Sequence, residues 1–244
     1  MHQRVLIFLR SEIMVLMNPF SELTKKEWVL WIISFVIVTV SNIMTGDVSL
    51  IKLAATDIGV TALIFIAKGN VWGQILVVIF SILYAITSYD FRYYGEMITY
   101  LGMTAPIAVM SIVSWLRHPY EEERNVVEIN KLSVKQTVCM WVLAAAATAL
   151  FGVILTALDT PNLFFSIVSV TTSFLASYMM LFRSSWYAVA YAANDAVLII
   201  LWILATVDNF VYLPMVLCFA TFFVNDLYGF VSWKIREKKQ ASNG

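Results

Sequence analysis

Charge is scarce in this chain: Asp, Glu, Lys and Arg make up 13% of 244 residues, against 61% hydrophobic residues. A soluble domain keeps roughly 25% charged residues to wet its surface, so lipid must be the solvent for most of this one. Histidine is nearly absent, and both copies, His2 and His118, lie outside the apolar runs. That removes His-cluster metal sites and Ser–His chemistry from the apolar body. The two cysteines, Cys139 and Cys218, sit inside apolar runs with no metal-site or disulfide spacing, and read as small buried hydrophobes. A net charge of zero lacks the basic footprint of a nucleic-acid binder. No nucleotide-binding motif or spaced carboxylate metal motif occurs either. The sequence therefore calls for no metal, no cofactor and no catalytic residues.

What is present is a series of long apolar segments. A spanning helix needs roughly 20 mostly apolar residues, because the hydrocarbon core is ~30 Å thick and each residue rises ~1.5 Å. Eight segments qualify: Glu27–Thr45, Leu50–Ala67, Val71–Tyr89, Glu96–Leu116, Gln136–Leu158, Asn162–Leu181, Trp186–Thr206 and Phe210–Trp233. The breaks are short and polar, apart from Arg117 to Lys135, whose Glu121-Glu122-Glu123 reads as a solvated loop. Before Pro19, Arg10 and Glu12 interrupt the apolar residues and no small-residue cleavage site follows. That stretch reads as an interfacial helix rather than a cleaved signal peptide.

Lys and Arg set the orientation. With the aqueous segments numbered alternately, one side collects Arg4, Arg10, Lys25, Lys26, Lys68, Arg117, Arg124, Lys131, Lys135, Arg183, Lys234, Arg236, Lys238 and Lys239. The other holds Lys52 and Arg92. This asymmetry predicts that both termini are cytoplasmic, and a missed or invented span would scramble it.

The fourth segment ends Ile112-Val113-Ser114-Trp115-Leu116-Arg117, and the eighth ends Phe230-Val231-Ser232-Trp233-Lys234-Ile235-Arg236. Lys68-Gly69-Asn70-Val71-Trp72 opens the third segment and Arg183-Ser184-Ser185-Trp186 the seventh. The Trp72–Trp115 interval is 43 residues and the Trp186–Trp233 interval is 47. Segments two to four thus repeat as six to eight. With one linking helix between them the two units lie parallel, an arrangement known in transporters. The expected fold is an all-α integral membrane protein of eight transmembrane helices, arranged 1 + 3 + 1 + 3. Residues 1–26 form the interfacial segment, 27–46 the additional helix and 47–117 the first three-helix bundle. Residues 118–160 form the loop and linker helix, 161–234 the second bundle and 235–244 the tail.

Polar side chains at membrane depth are costly and face the protein interior or a water-filled path. Gln74, Ser81, Tyr84 and Ser88 share one face of the third segment, and Ser166, Ser169, Ser173 and Ser177 one face of the sixth. The serine stripe suits close helix packing. In the seventh, Tyr187, Tyr191 and Asn194 align with Asp195 beside them; in the eighth, Asn225, Tyr228 and Ser232 align with Asp226 adjacent. Asp57, Asp195 and Asp226 suit interhelical pairing as well as a site, and Trp72 and Trp186 suit an aromatic belt as well as a site. Lys52 lies near a span end and can snorkel. The candidate binding residues are Asn194, Trp186, Tyr191, Tyr187, Gln74, Tyr84, Asn225, Asp195, Trp72 and Ser81. Aromatic faces attract cations, carboxylates add charge complementarity, and amides satisfy hydroxyls or a carboxamide. Such a lining favours a cationic, aromatic, polyhydroxylated solute and disfavours phosphorylated ones, which call for arginine.

The stretches Trp186-Tyr187-Ala188-Val189-Ala190-Tyr191-Ala192-Ala193-Asn194-Asp195, Phe91-Arg92-Tyr93-Tyr94-Gly95-Glu96-Met97 and Asn225-Asp226-Leu227-Tyr228-Gly229 resemble the PnuC family of vitamin transporters. The resemblance runs from about Leu50 to Lys239 and includes the helix plan, which is similar to that of the SWEET sugar transporters. Many members carry W-x-x-W-x-x-x-N in the penultimate helix. Here the asparagine matches Asn194, the tryptophan positions fall on Tyr187 and Ala190, and Trp186 is one residue off register. The resemblance implies a bacterial inner-membrane carrier that moves nicotinamide riboside by facilitated diffusion. It implies no ATP and no obligatory coupling ion, with a cytoplasmic kinase trapping the riboside, and it suggests a homotrimer. Thiamine, also an aromatic cation, is the alternative solute. An intramembrane enzyme or a receptor is disfavoured by the missing catalytic groups and the short loops. Gly95, Gly229 and Pro106 are candidate flexible points.

Overall fold

The computed structural model describes residues 18–45, 49–90, 93–120 and 126–243. The expected interfacial helix before Pro19, Arg92 and the Glu121–Glu123 run lie outside them. Among the described residues eight helices are long and apolar enough to cross a membrane. They are α1 (Lys25–Met44), α2 (Leu50–Lys68), α3 (Val71–Asp90), α4 (Tyr94–Arg117), α5 (Val134–Ala157), α6 (Leu163–Leu181), α7 (Tyr187–Asp208) and α8 (Leu213–Asn243). All eight fall within a few residues of the expected segments, except that α8 continues through the tail.

Local chemistry sets the ends. Thr24 and Ser133 cap α1 and α5 in capping boxes with Glu27 and Gln136. Gly69 ends α2 in the left-handed conformation, φ 72°, as glycine does readily. Arg183, at the same place after α6, also has positive φ, 58°. The hydrogen bonds match too. Gly69 N donates to Ile66 O and Asn70 N to Phe65 O; Arg183 N donates to Met180 O and Ser184 N to Met179 O. Two helix-to-helix corners with the same bonds at the same spacing are what a duplicated unit leaves behind.

The two units interlock. At the end of α4, Ser114 Oγ donates to Leu181 O and Trp115 Nε1 to Met180 O (3.0 and 3.3 Å). At the end of α8, Ser232 Oγ donates to Ala67 O and Trp233 Nε1 to Ile66 O (both 2.8 Å). Each Ser-Trp pair thus holds the C-terminal turn of the other unit's first helix, and the two indoles meet at 5.6 Å. Residues 126–133 run over this basic end: Val127 N donates to Gly69 O and Asn130 N to Arg183 O. Outside the ring of six, α1 packs on α2 and α8, while α5 packs on α6. The linker helix therefore stands to the second unit as α1 stands to the first.

Glu27 fixes α1 in place. Its carboxylate accepts from Thr24 N, Thr24 Oγ1, Lys68 Nζ and Tyr228 Oη, all within 3.2 Å, and the residue is 3% exposed. Glu27→Ala removes the carboxylate half of the α1 capping box and leaves Lys68 without its counter-ion. We expect a loss of about 2–3 kcal/mol, read as a lower thermal unfolding midpoint of the purified protein.

Helix α4 contains a π turn at Tyr100–Thr104. Pro106 explains it: proline has no N–H for the Gly102 carbonyl and its ring crowds that oxygen. The chain takes the wider turn instead, a form frequent at functional sites.

Candidate solute-binding cavity

A cavity between the two units is lined by α2, α3 and α4 on one side and α6, α7 and α8 on the other. Water centres can occupy about 50 Å³ of it, enough for a few waters. Its polar groups are Gln74, Tyr100, Thr104, Ser173, Tyr191, Asn194, Asp195 and Asp226, and Phe80 and Phe222 supply aromatic faces. Tyr100 and Thr104, the first and last residues of the π turn, both reach this wall. Opposite Phe222 lies Gly59, where a Cβ would sit 2.4 Å from that ring, so glycine is what leaves the phenyl room.

Hydrogen bonds define what each group offers. Asn194 Oδ1 accepts from Thr172 Oγ1 (2.9 Å) and Ser173 Oγ (3.0 Å), which leaves the amide N–H2 for the cavity. Gln74 is 2% exposed and its Nε2 has no partner. Tyr191 Oη is bonded to Ser177 Oγ at 3.0 Å. Asp195 and Asp226 share the cavity wall, and Asp195 Oδ2 is unpartnered. The serine stripe of α6 is thus a row of contacts, Ser169 to Glu96, Ser173 to Asn194 and Ser177 to Tyr191. Among the described residues, neither Lys nor Arg lines the cavity.

Gln74, Tyr191, Asn194 and Asp195 of the sequence candidates come together here. Tyr187 lies in the layer towards the basic end, its ring 4.7 Å from Trp233. Tyr84 lies towards the other end, accepting from Trp202 Nε1 and packing on Phe80 and Tyr100. Ser81 is buried and donates to Val77 O. Asn225 turns away and donates to Ser34 Oγ of α1. Trp72 packs in the cluster of Leu23, Ile64 and Phe65. Trp186 is 54% exposed, beside Phe230 and under the Lys234 ammonium. Asp226 and Ser173, which the sequence leaves open between packing and a site, also line the cavity, as do Tyr100, Thr104, Phe80 and Phe222, which no sequence pattern singles out as binding residues. For Asp226 a signal exists, since it neighbours Asn225 about 100° round the helix and so faces another way.

Comparison with known proteins decides the family. The family model described as nicotinamide mononucleotide transporter matches residues 49–235, a span that includes both three-helix units. The nicotinamide riboside transporter PnuC of Neisseria mucosa is 26% identical over 219 residues, 83% of this chain and 79% of that protein. The chain belongs to the PnuC family. Its fold is the PnuC fold: a crystal structure of the vitamin B3 transporter PnuC matches with a TM-score of 0.77 at 24% identity, over 89% of this chain and 94% of that one. PnuC proteins are transporters, and this chain is a multi-pass membrane transporter rather than an enzyme. Helix α1 precedes the part matched by the family model.

Proposed function

We propose that this PnuC-family protein carries nicotinamide riboside across a bacterial cytoplasmic membrane by facilitated diffusion. The observation that carries the reading is the cavity between the two units. It combines aromatic faces, two amide donors and two carboxyls, with no lysine or arginine among the described residues of its lining. Aromatic rings and carboxyls suit the pyridinium cation, and the Gln74 and Asn194 amides suit ribose hydroxyls or the carboxamide. The family description names a mononucleotide and the Neisseria relative is named for the riboside. The lining favours the riboside, because a phosphate would call for basic groups.

The basic end faces the cytoplasm in this reading, with both termini. The units rock about the cavity, exposing it alternately. Opening towards the cytoplasm parts the Trp115–Trp233 contact and the Tyr187 layer; opening outwards parts the layer of Tyr84, Tyr93, Trp202 and Tyr212. Phosphorylation by a cytoplasmic kinase draws the riboside inwards, since the phosphorylated product no longer fits the lining.

Counterflow in proteoliposomes tests this. Vesicles loaded with unlabelled riboside should accumulate labelled riboside with no ATP and no imposed ion gradient. A protein that binds the riboside but does not exchange it is a receptor. If thiamine binds and exchanges while the riboside does neither, the solute is thiamine and this assignment is wrong.

A further inference from the structure

Asp195 on α7 and Asp226 on α8 are 3% and 4% exposed and line the same cavity from adjacent helices. Two carboxyls buried in one small cavity, with no lysine or arginine among its described lining residues, favour the state in which one of them keeps its proton. Two bare carboxylates sharing that wall, away from water, would repel. The pair belongs to the cavity wall, and Asp195 Oδ2 has no protein partner there.

Among the described residues no lysine or arginine lines the cavity around the pair. Facing the pair are Tyr100 from α4, Tyr187 and Tyr191 from α7, and Cys218 from α8. From α2, α3 and α6 the wall presents Gly59, Gln74 and Ser173. Glu96 on α4 accepts from Ser169 Oγ and Asp57 on α2 from Thr39 Oγ1, and neither lines the cavity. Arg236 acts on the Tyr187 phenol.

We propose that the Asp195–Asp226 pair is a proton-exchange subsite: it keeps one proton when the cavity is empty and releases it when a cationic ring takes the proton's place. The balance is simple. The pair passes from HA·A⁻ to A⁻·A⁻, the proton leaves to water, and the bound cation supplies the positive charge that the proton held. Since binding sheds a proton, affinity rises with pH. Linkage at the site need not become coupling in the transport cycle, because the empty carrier can cross with the pair in either charge state. The inference rests on the reading that the cavity binds a cationic aromatic solute.

Calorimetry on the purified protein, in two buffers of different ionisation enthalpy, measures protons released per solute bound. For nicotinamide riboside we expect a release approaching one proton and an affinity rising up to about tenfold per pH unit wherever the empty pair holds its proton. A neutral nucleoside of similar size should release none. Asp226→Asn should abolish the release, and Glu96→Gln should preserve it. Binding of the riboside with no proton release and no pH dependence overturns the exchange and leaves the transport assignment standing. Loss of release in Glu96→Gln with retention in Asp226→Asn also overturns it, by placing the proton on Glu96. Thiamine, a second aromatic cation, separates the two failures. Proton-releasing binding of thiamine alone keeps the exchange and removes the riboside, whereas binding of neither cation overturns both.

Discussion

Trp233→Ala should destabilise the protein by about 3–5 kcal/mol, the cost of removing a large, fully buried aromatic side chain that neighbours cannot replace. The indole is 0% exposed, lies 5.6 Å from the Trp115 ring and 4.7 Å from Tyr187, and donates to Ile66 O at 2.8 Å. In lipid the gain from apolar burial is weak, so the void and the lost contacts carry the cost. Trp233→Phe separates the terms. It keeps much of the packing and loses the indole N–H donor, while Ile66 O keeps its bond from Gly69 N, for about 1 kcal/mol. Trp115→Phe should cost less, because its bond to Met180 O is 3.3 Å long. The two rings touch, so the double alanine variant should fall short of the sum of the single effects by about 0.5–3 kcal/mol. Unfolding midpoints of the four proteins would show this, and strict additivity would mean that the two units are not clasped through the indoles.

The clasp also separates what a local pattern carries from what only packing creates. The echo of Ser114-Trp115 in Ser232-Trp233 marks a duplicated unit, and hydropathy places all eight helices, because each depends on neighbours along the chain. That each Ser-Trp pair reaches into the opposite unit is a tertiary fact with no local signature. The same divide runs through the cavity. Spacing puts Asn225 and Tyr228 on one face, but periodicity names a face and not the neighbour it meets; here that neighbour is α1, through Ser34 and Glu27. Phe80 and Phe222 line the cavity with side chains that look like any core aromatic. Pro106 is legible as a weak point in the fourth helix. Its consequence, a π turn that turns Tyr100 and Thr104 to the cavity wall, depends on how α4 packs.

Gln74 and Asn194 should respond to substitution in opposite ways in the empty protein and in the same way towards solute. The Gln74 amide nitrogen is buried without a partner, which costs on the order of 1–3 kcal/mol in the empty state. Gln74→Met keeps the side chain's length and removes the unmet donor, so the solute-free protein should unfold at a higher temperature. Asn194→Ala removes the acceptor used by Thr172 and Ser173, leaving the Ser173 hydroxyl unpaired beside the cavity, and should lower that temperature. Both substitutions delete amide donors from the wall. Each should weaken riboside binding by about 10–100-fold by calorimetry, the equivalent of one or two lost hydrogen bonds to a desolvated solute, while the protein still inserts and purifies. A purely structural glutamine would not give higher stability with lower affinity, because packing defects lower both together. If Gln74→Met instead left affinity unchanged, the donor would be a packing residue and the solute's polar contacts would fall to Asn194 and the carboxyl pair alone.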